Sequence, residues 1–195
     1  MSTTVADTSL KIASRACILI GADAITSFTD GSTEATVAVN MYEDVCRTAL
    51  TNTRWRFATN QATLNLLNNA PTGRYDRAYQ IPTGSLMVHA ITVNDNAIEY
   101  QTYGDKIYAD TTATDTLIAD YTFRVGEDKF PSYFTIALEY SLASVFATSI
   151  ARDASLANTM TNAADTAMAK ARSLDSQQQT TRKLITSRFI SNRRS

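Results

Sequence analysis

Residues 51–66 read TNTRWRFATNQATLNL, and the fold turns on how this stretch ends the helical pattern that precedes it. Trp55, the one tryptophan, sits between Arg54 and Arg56, with Phe57 two positions on. In a period-two strand, Trp55 and Phe57 share one face while Arg54 and Arg56 share the other. The pattern predicts a strand that starts here, with an apolar face for a core and a charged face turned outward.

Upstream of this stretch the period is helical. Residues 8–20 place Leu10, Ala13, Cys17 and Ile20 on one stripe, with Asp7 or Thr8 to cap the helix. Gly21 and the Asp30-Gly31 pair interrupt the pattern. A second helix is expected over 33–51, where Ala35, Ala38, Tyr42, Val45 and Ala49 recur at three-and-four spacing and Ser32 or Asp30 can cap. Downstream, from Arg54 to Val125, strands are expected at LMVHAITV, AIEYQ and KIYAD, separated by the turns NDN and YGD. Beyond TTAT, the run TLIADYTFRV alternates strictly through Leu117, Ala119, Tyr121, Phe123 and Val125. Short strands with turns at this spacing predict an antiparallel meander closing into a small sandwich or open barrel.

Helix returns at 128–153, with Pro131 expected in its first turn, Asp128 as a cap, and a stripe of Phe130, Phe134, Leu138, Ser141, Leu142 and Val145. The last helix, 153–175, carries Ala157, Met160, Ala164, Ala167, Ala171 and Leu174 as a heptad seam with mostly alanine knobs. The fold expected is α+β: an antiparallel bundle of about four helices, an inserted antiparallel β-meander or sandwich, and an extended C-terminal tail. Residues 1–52 and 128–176 are the expected bundle, 53–127 the inserted β-domain and 177–195 the tail.

The formal net charge of −1 argues against a general nucleic-acid binder, yet it hides an asymmetry. The tail holds Arg182, Lys183, Arg188, Arg193 and Arg194 and no acid, so the rest of the chain stands near −6. The tail also keeps Leu184, Ile185, Phe189 and Ile190. No apolar run reaches the roughly 18 residues of a membrane span, and MSTTVADTSLKIAS lacks the plan of a signal peptide. Cys17 and Cys46 form no CxxC pair and read as reduced core thiols rather than a disulfide or metal site. A soluble protein made in a reducing compartment is expected.

Catalysis finds no candidate. His89 is the only histidine and lies in an expected strand, where a satisfied structural role outweighs that of a base. The six glycines are not grouped as a phosphate loop. FTDGSTEA lacks the acids of a calcium loop and reads as a turn with a helix cap. Glu43 and Asp44, or Asp105 and Asp110, read as scattered surface acids. No cofactor, metal or catalytic residue is expected.

Four segments, taken in order, resemble the phage head-to-tail adaptor family, which includes the tail tubular proteins A of short-tailed phages. Residues 11–64 carry a first helix ending in Leu19-Ile20-Gly21-Ala22, the SFTDGS turn, and a second helix with Tyr42, Asp44 and Arg47. The W-x-F-A motif follows as Trp55, Phe57 and Ala58. YDRAYQIPTGSLMVHAI is similar to the family's next segment through Tyr75, Ala78, Tyr79, Ile81, Pro82 and Leu86. FPSYFTIALEYSLASVFATSI is similar to its third helix through Phe134, Ala137, Leu142 and Ala143. The resemblance covers nearly the whole chain to about residue 175, and the tail beyond 176 matches no family pattern.

The resemblance implies a structural virion protein, assembled in the host cytoplasm and sited at the head–tail junction. It implies a dodecameric ring docked under the portal protein, holding the tail nozzle protein below, with DNA passing through the lumen without sequence-specific binding. No membrane contact is implied. Beside it, physics assigns portal docking to Arg182, Lys183, Ile185, Arg188, Phe189, Ile190, Arg193 and Arg194. Trp55, Phe57, Arg54 and Arg56 are expected to stitch the bundle to the sheet. The alternative is a non-enzymatic β-domain that binds a protein or carbohydrate, with Tyr100, Tyr103 and Tyr108 as its exposed aromatics.

Overall fold

Three of the four α-helices among the described residues start where a short polar side chain accepts free N–H groups of the first turn. In the computed structural model, which describes residues 5–68 and 73–178, α1 (Ser9–Leu19) is capped by Thr8, whose hydroxyl accepts from the Lys11 N–H at 3.3 Å. Gly21 ends that helix in the left-handed region (φ 76°), where a side chain would be strained. Ser32 caps α2 (Thr33–Thr51) through the Ala35 N–H, and Asp30 in turn accepts from the Ser32 N–H and hydroxyl. The FTDGS stretch is thus a turn built to launch α2.

Helix α3 (Ser132–Ser149) is buried over most of its circumference because α1, α2 and α4 all pack on it. Phe134, Leu138, Leu142 and Phe146 are wholly buried there. Its start differs from the expectation. Pro131 is the cap residue itself, outside the first turn, and its carbonyl accepts from Phe134 and Thr135. Asp128 lies in a separate 3-10 turn, Glu127–Lys129, and makes no cap bond to α3.

Helix α4 (Ala154–Gln177) is capped by Asp153, which accepts from the Ser155 and Leu156 N–H groups. Ala164, Met168 and Ala171 face the core. The expected seam fails at its end: Leu174 is 46% exposed and Asp175 is buried instead. The reason is polar. The Asp175 carboxylate accepts from the Arg56 N–H at 3.1 Å and the Tyr133 hydroxyl at 2.9 Å, which turns the last helical turn inward by one residue.

Cys17 and Cys46 are free, buried thiols in the helical core. Burial pushes them up to about 11 and about 12, respectively. Glu139 on α3 is buried against the same core, and its carboxylate meets Arg15 of α1 at 3.3 Å. Burial raises the Glu139 carboxyl above its ordinary value, and Arg15 only partly opposes this. An acid raised in the folded state loses stability as pH climbs through its ordinary value of 4.5. The variant E139Q is therefore expected to be neutral or stabilising by up to about 1 kcal/mol at pH 7. The gain should shrink below pH 4.5, read as the difference in urea midpoints at the two pH values.

The strands are β1 (Thr59–Thr63), β2 (Arg77–Gln80), β3 (Ser85–Val93), β4 (Asn96–Ala97), β5 (Gln101–Tyr103), β6 (Lys106–Ala109) and β7 (Leu117–Phe123). They form two antiparallel sheets, ordered β1-β7-β3-β4 and β2-β6-β5. This is not a meander. Among the pairings, only β3–β4 and β5–β6 join consecutive strands, and each turns through left-handed residues: Asn94 and Asp95 (φ 49° and 64°) and Gly104 (φ 61°). AIEYQ is not one strand either. Its ends belong to different sheets, and residues 98–100 carry the chain between them. Leu117, Ala119 and Ile91 of the first sheet meet Tyr79, Ile107 and Ala109 of the second in a shared core. Four helices and two antiparallel sheets make the chain α+β.

Candidate functional site

The residues singled out at 54–57 lie where the chain passes from α2 to β1, but not in a strand. Trp55 precedes a 3-10 turn, Arg56–Ala58, and β1 begins only at Thr59. What overrides the strand is the indole. Its Nε1 donates to the Ala49 carbonyl at 2.8 Å, which folds Trp55 back on the last turn of α2. That carbonyl is among the four that an α-helix leaves unpaired at its end. The Asp175 carboxylate takes the Arg56 N–H, which likewise lacks a helical partner. The alternation of exposure survives without a strand: Trp55 is fully buried, while Arg54 and Arg56 are exposed.

Four aromatic rings gather at this point. Trp55 meets Phe134 edge-on at 5.1 Å and Phe57 at 5.9 Å. Phe57 and Phe130 each lie 4.9 Å from Phe134. Such tilted pairs add to the area they bury. Outside them, Arg54 reaches Asp120 of β7 at 2.9 Å, and Gln61 donates to the other Asp120 oxygen at 2.7 Å. Aromatic side chains from the α2–β1 link, from α3 and from Phe130 just before it are therefore bracketed by a polar tie from the same link to the first sheet.

A second tie was not legible in the sequence. Arg124, just past β7, binds the Glu43 carboxylate of α2 through Nε (3.1 Å) and Nη2 (3.0 Å). Its Nη2 also reaches Glu127 at 2.6 Å, its Nη1 donates to the Val125 carbonyl, and its guanidinium lies 5.8 Å from the Phe130 ring. Tyr42 donates to the same Glu127 at 3.1 Å. Burial lowers the Arg124 guanidinium, but the bonds from Glu43 and Glu127 outweigh it, so the cation is held more tightly than usual. Burial likewise raises the Glu43 carboxyl, and the bonds from Arg124 and Arg47 overcome this and leave it below its ordinary value. Glu43, expected to be a scattered surface acid, is therefore half of a fork that joins α2 to the end of β7. Only the Arg124–Glu127 spacing of three is local enough to have been noticed.

The other candidates are placed apart from this joint. His89 is half-buried on β3, and its Nε2 shares a hydrogen bond of 2.7 Å with the buried Thr122 hydroxyl. Burial and then Arg54 lower its pKa, so it is neutral at pH 7 and is occupied structurally. Asp110 accepts from the Asp76 N–H, and Asp105 faces Gln80. Tyr103 is 57% exposed and packs edge-on against Tyr108, which neighbours Tyr75 at 6.3 Å. Tyr100 is instead half-buried against the inter-sheet core. The tail residues Arg182, Lys183, Ile185, Arg188, Phe189, Ile190, Arg193 and Arg194 lie outside the described residues.

Among the described residues, no three His, Cys, Asp or Glu side chains are placed to hold a metal ion, and no helix is long and apolar enough to cross a membrane. A cleft of about 560 Å³ opens beside Pro82, Met87 and Thr102, with Asp105 as its one ionisable lining residue. No protein-family model matches this chain, and no curated protein matches it.

Proposed function

We propose that this chain is a phage head-to-tail adaptor, a structural subunit of a dodecameric ring that joins the portal protein to the tail nozzle and lines part of the DNA ejection channel. In this reading, residues 1–52 and 128–176 form a helical bundle, 53–127 an inserted β-domain, and 177–195 a portal-docking tail. One observation supports it: Tyr42, Trp55, Phe57 and Phe134, which bear the family resemblance, take part in contacts that join α2, the link to β1 and α3. Tyr42 is tied to Glu127, and Trp55 and Phe57 pack on Phe134. Ala58, Ala137, Leu142 and Ala143 are buried in the same core. A ring subunit under tension needs rigid coupling between its parts and no catalytic group. A body in which acids outnumber bases also lets a polyanion pass without being held, because its net charge repels phosphates.

The test is deletion of residues 179–195. The body should stay folded, because α4 ends at Gln177 and its last core-facing residue is Asp175. Binding to portal-containing heads should be lost, seen as bare portals by electron microscopy. Normal attachment of the truncated protein would remove the tail from the docking role. The surface formed by Tyr75, Tyr103 and Tyr108 favours a second reading, a β-domain that binds a protein or carbohydrate. Solution mass separates the two: rings with portal support the adaptor, and a monomer that binds only a ligand supports the module.

A further inference from the structure

Between α3 and α4 runs an apolar groove of about 540 Å³. Tyr133, Ile136 and Tyr140 form one wall, and Ala167, Ala171 and Leu174 form the other. Ile136 is 49% exposed and Leu174 46%, which leaves two large apolar side chains on one open face. The groove's only charged lining residue is Lys170, so it suits apolar side chains and offers nothing to cations.

We propose that this groove is the seat of the chain's own residues 179–195, held in cis through Leu184, Ile185, Phe189 and Ile190. The described chain leaves α4 at Gln178, whose amide donates to the Tyr133 hydroxyl at 3.3 Å, so it departs at the mouth of the groove. From Leu174 back to Asn162 the groove follows α4 for about 18 Å, at 1.5 Å per residue. Residues 179–195 reach about 55 Å when extended, three times what the groove requires. Attachment at the mouth also gives these side chains an effective concentration in the millimolar range, against which a second molecule at micromolar concentration competes poorly. Arg182, Lys183, Arg188, Arg193 and Arg194 would remain in water, as a groove without acids demands. The proposal stands on the groove and on the point of exit, independently of the adaptor reading. If both hold, portal docking exchanges one apolar seat for another.

Limited trypsin digestion of the full chain tests it, with cleavage at Arg182, Lys183 and Arg188 followed by mass spectrometry. Docking in cis predicts cleavage at least about tenfold slower than in a free peptide of residues 179–195, because the open form is then a minor population. I136E, at an exposed position, should restore the peptide's rate with unchanged helical circular dichroism. L174E serves the same purpose should I136E lose structure. Dilution should leave the protection unchanged. Cleavage at the peptide's rate in the wild type overturns the proposal. So does protection that grows with protein concentration, which assigns the tail to a second copy, or protection that survives both substitutions, which places it elsewhere.

Discussion

W55A is expected to lose about 3–5 kcal/mol of stability, the range for deleting a fully buried large aromatic side chain. That is a large share of the roughly 5–15 kcal/mol that a domain of this kind has. Three losses combine. The indole leaves a cavity where it packed on Phe134 and Phe57, the Ala49 carbonyl loses its donor, and the 3-10 turn at Arg56–Ala58 loses its anchor. W55F separates them. It keeps most of the ring volume and should lose about 1–3 kcal/mol, mainly through the unpaired carbonyl. Because the tryptophan itself is removed, unfolding in urea should be followed by far-ultraviolet circular dichroism. R56A is the control: its side chain is exposed, and the Asp175 bond uses only its backbone N–H, so the change should stay within about 0.5 kcal/mol. Equal losses in W55A and R56A would mean that the charged face, not the aromatic one, holds the joint.

The same residues show what the sequence could and could not tell. Helices α1 and α2 were legible because Thr8 and Ser32 announce them, and α4 because its three-and-four spacing persists over many turns; its cap, Asp153, was not read. The hairpins at Asn94-Asp95 and at Gly104 were legible for a like reason: left-handed residues mark the turn. The strand order was not. Pairing β1 with β7 and β2 with β6 depends on contacts between residues tens of positions apart, which alternation alone does not encode. The exposure of 54–57 was read correctly from the charges, yet the backbone was misread, since a 3-10 turn can present the same in-and-out order as a strand. The end of the α4 seam failed because a buried carboxylate satisfied by two donors can displace a leucine from a core position.

Two joints hold the sheet to the helices, and they are of different kinds. The ring contacts of the aromatic one are insensitive to pH and salt, although the Arg54–Asp120 pair that ties it to β7 is not. The ionic one, Arg124 with Glu43 and Glu127, is sensitive to both. It also reaches further along the chain, since it fixes the strand that leaves the sheet to the helix that enters it.

R124M should therefore cost about 2–4 kcal/mol at pH 7. Removing one member of a buried ionic group leaves its partners uncompensated, which can cost 3–5 kcal/mol. Here the figure is reduced because Arg124 is 20% exposed and Glu43 43%, so water partly screens both. R124K should recover only part of the loss, because a single ammonium does not reproduce the fork that spans both Glu43 oxygens. The pH dependence follows from the sign of the Glu43 shift. A carboxyl lowered in the folded state contributes stability that is complete above its ordinary value of 4.5 and is lost as pH falls through the folded value. The gap between wild type and R124M should thus be widest near pH 7 and narrow below pH 4.5, opposite to the course a buried, raised carboxyl such as Glu139 gives. Urea midpoints across that range, with E43Q and the double variant R124M/E43Q completing the cycle, measure the coupling directly. A coupling below about 0.5 kcal/mol, the level of an exposed pair, would mean that Trp55 and its neighbours carry the joint alone.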